Sequence, residues 1–492
     1  MTLSRSLILL ALLPGALAAA QTPGAAAGVG QGAVVKVYAQ ACAGCHGPDM
    51  VGGRAPSLLD DVWTFGGDDA SVALSIREGR AAGAMPAFKA ALTDQQIRSL
   101  VILIREEADA ARRQGPRTPP RWDAVFQSER HAFRLEMVAD GLDTPWGLAF
   151  LPDGRMIVTE RPGRLRFISP GQPPGEAVTG LPRVWAQQDG GLMDVALHPD
   201  FAKNGWVYLS YADPGVQKGA SMTAIVRGRV RGSKWVDQET LYKAPPELYW
   251  DDDTHFGSRF LFDREGHLFY SIGDRGHQDD AQDLSLPNGK IHRIHEDGRI
   301  PKDNPFVGRP GALASIWSYG NRNPQGLAWH PVTGELWSSE HGPRGGDELN
   351  RIEPGRNYGW PVITYGMNYD GTPITDKTEQ EGMEQPVMQW TPSIAVCAIV
   401  FYTGDRFPGW KNDLFVTALG GQALRRLVVE GKRVVHEEVL FRGLGRVRDV
   451  VNGPDGTLYV VLNDPGRIVR MVPAPSPSGA SIHPPPRQAS PS

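Results

Sequence analysis

The chain has 492 residues, a formal net charge of −4, 58 glycines and 41 prolines. This length exceeds one ordinary hydrophobic core, so we expect at least two domains. The lack of a basic excess argues against a nucleic-acid partner, and the many glycines and prolines indicate turns and therefore β structure.

The first twenty residues predict a secretory signal peptide. Arg5 supplies the positive region, residues 7–13 form the apolar region, and residues 18–20 fit a small-residue cleavage site. Cleavage after residue 18 fits the same pattern. The apolar run is too short for a permanent span, although a retained anchor is the alternative. We therefore expect a periplasmic or secreted protein.

The segment Cys42-Ala43-Gly44-Cys45-His46 predicts a covalently bound c-type haem. In this motif the two thiols add to the haem vinyl groups, and the histidine binds the iron. A disulfide or half of a zinc site is the alternative, but the chain has no second cysteine pair to complete a zinc site. The third cysteine, Cys397, lies in an apolar run and is predicted to be a buried strand thiol, so we expect no disulfide.

Residues 28–110 are predicted to form a small all-α domain. Residues 33–41 and 69–80 are typical of helices, and Thr93 with Gln96 forms a capping box for a further helix. Met85, followed by proline, stands where class I cytochromes c, which this domain resembles, place the second axial ligand. The helix after the capping box carries an apolar face of Ile97, Leu100, Val101 and Ile104.

Two segments are predicted to lie outside the folded domains. Residues 111–132 contain a stretch rich in proline and arginine and are predicted to be a semi-rigid linker. Residues 473–492 are rich in proline and serine and are predicted to be a disordered tail.

Residues 133–472 contain a hairpin-like unit that recurs six times. Each copy is an apolar run, a turn with Pro, Asp or Gly, and a second apolar strand. Six such units predict an all-β six-bladed β-propeller, whereas a β-sandwich would not need a recurring hairpin. His198 and His330 fall in the turns and are predicted to be structural. The copies cover residues 147–158, 194–209, 260–270, 326–337, 399–416 and 449–461.

Four polar clusters interrupt the blade pattern, at residues 251–259, 321–326, 340–350 and 446–449. Each flanks a predicted strand, so closure of the propeller can bring them to one mouth of its channel. His255 in the first cluster is a candidate general base. The arginines suit a ligand with several carboxylates, and backbone and carboxylate oxygens suit calcium.

These clusters resemble the soluble pyrroloquinoline quinone (PQQ)-dependent glucose/sorbosone dehydrogenase family, in particular its aldose sugar dehydrogenase branch. The resemblance covers residues 133–472 and implies a six-bladed propeller that binds PQQ. The motifs that carry it are His255-Phe256-Gly257, Arg322-Asn323-Pro324-Gln325-Gly326, Glu340-His341-Gly342-Pro343 with Asp347-Glu348, Asn357-Tyr358-Gly359-Trp360-Pro361, and Arg446-Val447-Arg448-Asp449.

The resemblance also implies roles for individual residues. His255 would take the proton of the sugar's anomeric hydroxyl while a hydride moves to the quinone, and Arg322 would lie near the reacting carbonyl. Arg446 and Arg448 would pair with the PQQ carboxylates. The remaining cofactor contacts implied are Asn323 and His341.

Two calcium sites follow from the same resemblance. Gly342 and Pro343 would offer backbone carbonyls to a calcium that also binds PQQ and polarises the quinone as a Lewis acid. Glu348 and Tyr358 match ligands of a second, structural calcium.

Two positions depart from the family pattern. Asp189 stands where relatives commonly carry glutamine, although the neighbouring Gln188 could substitute after a small shift. Gly420 stands where relatives carry a lysine that contacts PQQ, so one cationic contact is lost. The base, the arginines and the calcium loop are retained.

The sequence therefore predicts an exported quinohaemoprotein that oxidises an aldose at C1 to its lactone. Its expected cofactors are PQQ, haem c and Ca²⁺, and its expected electron acceptor is a periplasmic or membrane respiratory partner. One alternative is another alcohol or aldehyde substrate, such as sorbosone. Another is a binding propeller without PQQ beside a cytochrome c electron carrier, an idea motivated by Gly420 and Asp189. A calcium-dependent lactonase would leave the haem motif unexplained.

Overall fold

The computed structural model describes residues 32–80, 84–114 and 121–475. The predicted signal peptide at residues 1–20, part of the predicted linker and residues 476–492 of the predicted tail lie outside these ranges. Within them, no helix has the length and apolar character needed to cross a membrane.

A small helical unit precedes the β structure, as the sequence predicts. Its core joins apolar side chains of three helices, including Tyr38, Ile76 and Leu100. The predicted capping box is confirmed, because Thr93 N donates to Gln96 Oε1 at 2.9 Å and Gln96 N donates to Thr93 Oγ1 at 3.2 Å. The helices are α1 (Ala33–Ala41), α2 (Ala43–His46), α3 (Asp69–Glu78) and α4 (Asp94–Gln114).

Helix α4 is longer than the sequence analysis predicts. It continues to Gln114, four residues into the range assigned to the linker. Its predicted apolar face is confirmed, but Ile102 and Leu103 on other faces are also buried, at 1% exposure each. A helix that is apolar on more than one face must pack against more than its own domain, and here the second partner is the β domain.

The β domain is a six-bladed propeller of antiparallel sheets. Each of the six predicted hairpin copies forms the first two strands of one blade. The first five blades are β3–β5 (Pro145–Phe150, Met156–Glu160, Arg164–Ile168), β6–β9 (Leu192–Leu197, Val207–Pro214, Ser221–Arg231, Lys234–Tyr242), β10–β13 (Phe260–Phe262, His267–Ile272, Lys290–His295, Ile316–Tyr319), β14–β17 (Pro324–Trp329, Leu336–Glu340, Asp347–Ile352, Met388–Trp390) and β18–β21 (Val396–Phe401, Leu414–Ala418, Ala423–Glu430, Arg433–Arg442). A one-turn helix, α5 (Phe201–Asn204), joins β6 to β7.

The sixth blade joins the two ends of the domain. Strands β22 (Arg446–Asn452), β23 (Leu458–Asp464) and β24 (Gly466–Pro473) are followed in the sheet by β2 (Ala132–Ala139) and β1 (Val125–Gln127), from the start of the domain. Strand β1 lies in the range predicted as linker, so ordered sheet begins at Val125 rather than at residue 133. A short edge strand with no blade motif of its own carries no repeat signal.

The first strands of the blades form a closed ring around the propeller axis. Contacts run from β3 to β6, β10, β14, β18 and β22 and back to β3. Within a blade the second strand is antiparallel to the first, so Pro324 at the start of β14 pairs with Glu340 at the end of β15. The start of every first strand and the end of every second strand therefore share one mouth of the channel.

Arg259 ties the blades together near the axis. Its guanidinium donates to Asp194 at 3.1 Å, to Asp449 at 3.3 Å and to the Gln325 carbonyl at 2.9 Å. It also lies 4.4 Å from the ring of Trp146. These partners belong to the second, sixth, fourth and first blades, and Arg259 itself stands just before the third. A buried charge of this kind holds its partners only while every one of them is in place.

We expect Arg259→Ala to lower propeller stability by about 3–5 kcal/mol, because Asp194 and Asp449 would stay buried without their counter-charge. The measurement is thermal unfolding followed by tryptophan fluorescence. Arg264→Ala, at an exposed position of the same blade, is the control and should stay within about 0.5 kcal/mol of wild type. Equal melting of both variants would contradict this role for Arg259.

Candidate functional site

The predicted base, His255, lies at the propeller mouth and is oriented by a buried carboxylate. Its Nδ1 is 2.6 Å from Asp274 Oδ1, and the other Asp274 oxygen accepts a hydrogen bond from Trp360 Nε1 at 2.8 Å. Burial disfavours the Asp274 charge, but the bond with His255 and the nearby positive charge of Arg322 outweigh it and hold its pKa below the usual range. A carboxylate at Nδ1 places the proton there and leaves Nε2 able to accept one.

The backbone around His255 is held in an unusual conformation. His255 has a φ of 52°, in the left-handed region that non-glycine residues seldom occupy. A Cβ on Gly273 would lie 2.2 Å from the His255 carbonyl oxygen, so only glycine fits beneath it. Arg275 is fully buried under the same loop, where it donates to the carbonyls of Asp252 and Thr254. These contacts position the imidazole, as is common at functional sites.

Sequence reasoning missed Asp274, although a signal for it existed. Asp274 lies two residues after the end of β11, as Gly342 lies two residues after the end of β15, and the segment around Gly342 is predicted to be a polar cluster. Asp274 N also donates to the Arg322 carbonyl at 2.7 Å. Comparison of equivalent blade positions would therefore have pointed to it.

A group of cationic side chains gathers beside His255. Burial lowers the pKa of His341, and the nearby charges of Arg448 and Arg322 lower it further. Burial and the charge of Arg448 likewise lower the pKa values of Arg161 and Arg446. Because these charges act on one another, the predicted residues Arg322, His341, Arg446 and Arg448 lie close together. Arg161 belongs to the same group, and sequence reasoning missed it. Arg161 comes directly after β4, at the position that His341 occupies after β15.

Several polar atoms of this group lack partners among the described residues. They are Nε of Arg322, Nε of Arg448 and Nε2 of His341, all buried. Buried donors without acceptors are costly, and the surplus positive charge makes an anionic ligand favourable. A planar ligand with several carboxylates and carbonyl oxygens, such as PQQ, fits this donor set.

The other three predicted cofactor contacts, Asn323, Gln188 and Asp189, have surroundings that do not by themselves indicate a ligand. Asn323 Oδ1 accepts bonds from Gly257 N at 3.0 Å and from Gln325 Nε2 at 3.1 Å, so this side chain braces the loops. Gln188 and Asp189 are exposed on the rim, where the Gln188 carbonyl accepts a bond from Arg161. Their roles as cofactor contacts stay predictions.

Cys397 is fully buried in β18, as predicted. The structure adds that its Sγ is 3.2 Å from Arg448 Nη1, which also donates to Gln325 Oε1 at 3.0 Å. The thiol therefore lies at the base of the arginine group. All three cysteines are free of disulfides.

All four predicted calcium residues line one small cavity of about 10 Å³, room for roughly one water-sized particle. Glu340 and Arg322 line the same cavity. Sequence reasoning divided the four predicted residues between two calcium ions, whereas the structure gathers them around a single space. The Tyr358 hydroxyl donates to Arg351 O at 2.7 Å and accepts from Glu353 N at 2.8 Å, so one hydroxyl lone pair and the backbone oxygen remain as possible ligands.

The two predicted carbonyl ligands each accept a hydrogen bond. The Gly342 carbonyl accepts from Arg322 Nη1 at 2.6 Å, and the Pro343 carbonyl accepts from Ser393 Oγ at 2.8 Å. A carbonyl has two lone pairs, so each retains one for a cation.

The acidic side of the cavity is suited to a cation. Burial raises the pKa of Glu340, and burial together with the charge of Glu340 raises that of Glu348. The side-chain oxygens of Asn321 and Asn350 are buried without partners in the described part of the chain. The amide nitrogens of both asparagines donate to Glu340 Oε1, at 3.0 and 2.9 Å. The two neighbouring carboxylates are the donors that a hard cation such as Ca²⁺ would satisfy.

The haem-motif residues lie apart from the propeller site, in the helical unit. His46 Nδ1 is 2.9 Å from the Pro56 carbonyl, which puts the proton on Nδ1 and frees Nε2 for iron. Cys42 and Met85 pack against the same apolar cluster. Burial raises the pKa of Cys42 to about 11, so this thiol is protonated and held in an apolar pocket. These residues fit a c-type haem.

Comparisons with known proteins match both parts of the chain. Residues 142–470 match the glucose/sorbosone dehydrogenase family, and residues 32–104 match cytochrome c oxidase, cbb3-type, subunit III. The aldose sugar dehydrogenase YliI of Escherichia coli is 43% identical over 346 residues, which cover 69% of this chain and 92% of that protein.

Solved structures agree with this match. The apo form of the soluble aldose sugar dehydrogenase from Escherichia coli superposes with a TM-score of 0.66 at 41% identity and covers 70% of this chain and 100% of its own. The PQQ-bound aldose sugar dehydrogenase from Streptomyces coelicolor gives a TM-score of 0.59 at 27% identity, with 71% and 99% covered.

The raised carboxyl pKa values lead to a stability prediction. A carboxyl whose folded pKa exceeds its unfolded value of about 4.3 stabilises the fold fully at low pH, and this contribution is lost as pH rises through the folded pKa. We expect the calcium-free protein to lose stability on the order of a few kcal/mol from this pair between about pH 5 and pH 8.

Glu348→Gln removes one charge of the Glu340–Glu348 pair, so the variant should lose less stability than the wild type as the pH rises. Added Ca²⁺ should raise the melting temperature of the wild type more at about pH 8 than at about pH 5, because the ion binds the ionised carboxylates. The measurement is thermal unfolding in EDTA and in Ca²⁺. Parallel pH profiles of variant and wild type would contradict the assignment.

Proposed function

This chain belongs to the glucose/sorbosone dehydrogenase family and is a sugar dehydrogenase with a fused cytochrome c domain; from that premise, we propose that it oxidises aldoses at C1 to lactones with PQQ. We further propose that the electrons leave through its own c-type haem. The observation that carries the proposal is the His255–Asp274 pair beside the arginine group, with a haem motif in the same chain.

His255 is proposed as the base of the reaction. Its Nε2 would accept the proton of the anomeric hydroxyl, while Asp274 holds Nδ1–H and stabilises the imidazolium that forms. Loss of that proton and of the C1 hydride converts the hemiacetal carbon of an aldose to a lactone. Trp360 keeps Asp274 in place through its indole N–H.

The cationic residues are proposed to hold the cofactor. Bound PQQ would supply a quinone able to accept the hydride. Arg446 and Arg448 would neutralise its carboxylates, and Arg322, only 5% exposed, would donate to an oxygen that gains negative charge. Support comes from the Nε atoms of Arg322 and Arg448, which have no hydrogen-bond partner in the part of the chain that the structure describes. Calcium is proposed at the cavity lined by Gly342, Pro343, Glu348 and Tyr358, where it would also counter the buried carboxylates.

The haem domain is proposed to act as a one-electron acceptor within the molecule. His46 and Met85 would hold the iron, and a thioether ligand would favour a higher potential that suits an acceptor. We propose export to the periplasm or beyond, on the strength of the N-terminal signal pattern. A respiratory protein of the periplasm or membrane would then receive the electrons.

Two other functions remain to be separated from this one. Another alcohol or aldehyde, such as sorbosone, would use the same residues and differ only in the outer pocket. A propeller that has lost PQQ would fit the lysine missing at Gly420 and the Asp189 departure. The cationic group in the mouth favours retention of an anionic cofactor.

The decisive experiment is anaerobic reduction of the haem, followed by absorbance, with a panel of aldoses and other alcohols. We expect aldose-dependent reduction only after PQQ and Ca²⁺ are added. Haem that stays oxidised with every sugar, in a protein that does bind PQQ, would refute the dehydrogenase proposal. The absence of saturable PQQ binding to the apoprotein would instead favour the carrier alternative.

We expect Asp274→Asn to lower kcat for dye-coupled aldose oxidation by roughly 10²–10⁴-fold, because the amide cannot stabilise a protonated imidazole. KM should change by less than about threefold, since Asp274 is not expected to touch the sugar. Asp283→Asn, an exposed site that caps Ser285, is the matched control. A kcat equal to that of the control would exclude Asp274 as a positioning residue for the base.

A further inference from the structure

Helix α4 of the haem domain contacts the propeller along its whole length. The residues involved recur every three or four positions, so they form one face of the helix. Near its start, Gln95 Nε2 donates to the Thr375 carbonyl at 2.6 Å, and near its end Arg113 Nη1 donates to the Gly420 carbonyl at 3.3 Å. The side chains on this face are Gln95, Arg98, Ile102, Glu106, Asp109 and Arg113.

The centre of this face is a bidentate ion pair between Glu106 and Arg344. Arg344 Nε lies 2.9 Å from both Glu106 oxygens, and Nη2 lies 2.6 Å from Oε2. The Arg344 side chain is 9% exposed and that of Glu106 is 21% exposed. A paired, largely buried arginine of this geometry is held much more firmly than a surface ion pair.

Apolar contacts on either side of the ion pair join the two domains. Ile102 packs on Gly345, where an added Cβ would lie 2.8 Å from the isoleucine and where φ is 81°. Met367 of the propeller is 1% exposed and belongs to the apolar core of the haem domain. The backbones of Arg344 and Met367 bond each other in both directions, at 3.1 and 2.9 Å. The domains therefore share a packed core at this point.

The loop held by these contacts is the one that carries the predicted cofactor ligands. Arg344 follows Gly342 and Pro343 directly, and Gly342 N donates to Asp347 Oδ1 at 3.0 Å. On the propeller side, Ser393 Oγ accepts from Gly345 N at 3.0 Å and from Gly346 N at 3.2 Å. The loop is therefore held by hydrogen bonds to Ser393 of the propeller and by the ion pair with Glu106 of the haem domain.

We propose that Glu106 of the haem domain is a positioning residue for the 342–346 loop, acting through Arg344. The haem domain is then a permanently docked part of the cofactor site rather than a tethered carrier that shuttles. The loop's part in cofactor binding rests on the proposed function, but its positioning by Glu106 does not. Binding of a cofactor to the loop and docking of the haem domain are thermodynamically linked. The factor by which docking strengthens cofactor binding is therefore also the factor by which a bound cofactor favours the docked state.

The first test needs no PQQ. Hydrogen exchange of the full haem-containing chain is compared between wild type and Glu106→Gln, which removes the charge and keeps the shape. We expect the amides of Arg344, Gly345 and Gly346 to exchange at least about tenfold faster in the variant. Glu107→Gln, on the next position of the helix, is the matched control and should behave as wild type. The haem absorbance spectrum and the exchange of β8 should not change in either variant.

The second test restores the pair with reversed charges. Glu106→Arg and Arg344→Glu should each speed up exchange of the loop, and the double variant E106R/R344E should return most of the protection. Titration of the PQQ-free full chain with PQQ in Ca²⁺ should show about tenfold weaker binding for Glu106→Gln and unchanged binding for Glu107→Gln.

Each outcome decides the inference. Loop exchange within twofold of wild type in Glu106→Gln would overturn it, and so would faster exchange that the charge swap does not restore. Faster exchange with unchanged affinity, in a wild type that binds PQQ, would overturn only the statement that the docked domain is part of the cofactor site. Faster exchange in Glu106→Gln with rescue by the charge swap supports it. If the wild type binds no PQQ, the proposed function fails, while the exchange result still decides whether Glu106 positions the loop.

Discussion

The pairing of β2 with β24 is the constraint on which the rest of the structure depends. This antiparallel pair, in register from Phe133 with Pro473 to Ala139 with Ile468, joins segments more than three hundred residues apart in the sequence. It closes the ring of inner strands, and closure removes the open sheet edges that an incomplete propeller would expose. Only in the closed ring do the polar loops of all six blades face one mouth.

Closure also concentrates charge that the separate blades would keep apart. Three blades contribute the four arginines of the mouth, Arg161, Arg322, Arg446 and Arg448. The charge of Arg448 lowers the pKa values of Arg161 and Arg446, and the charges of Arg448 and Arg322 lower that of His341. In the fourth blade, Glu340 and Glu348 place two carboxylates so close together that the charge of Glu340 raises the pKa of Glu348. This part of the mouth therefore has an excess of negative charge. The mouth is therefore divided into a region that attracts an anion and a neighbouring region that attracts a cation. Bound together, a carboxylate-bearing quinone and a divalent cation would cancel both imbalances.

The same closure determines where the haem domain is attached. The chain passes from α4 into β1 and β2 of the sixth blade, while α4 itself lies on loops of the fourth and fifth blades. Glu129, just after β1, reaches Arg426 of the fifth blade. The haem domain is therefore bound to the propeller at both ends of its last helix, above the loop that follows Glu340. The cytochrome c domain and the propeller of one chain are packed against a shared loop.

Local patterns were sufficient for the parts of the protein whose interactions are short in sequence. The capping box at Thr93, the haem motif from Cys42 to His46 and the six hairpins each consist of residues that contact near neighbours, so their spacing alone identifies them. The apolar face of Ile97, Leu100, Val101 and Ile104 was predictable for the same reason. The family motifs around His255 and Arg322 pointed to residues that the structure brings close to one carboxylate, Asp274.

Only the tertiary structure decided the interactions between distant segments. It assigned Asp274 to His255, gathered Arg161 with the other arginines, and placed four predicted calcium residues around a single cavity. It also added β1 and β2 to the last blade and gave α4 its second buried face, with Glu106 on Arg344. No local period encodes these contacts, because each depends on which loops the closed ring brings together. The sequence by itself determined the kinds of unit and their chemistry; the closed propeller and the docked helix decided which residues act as partners.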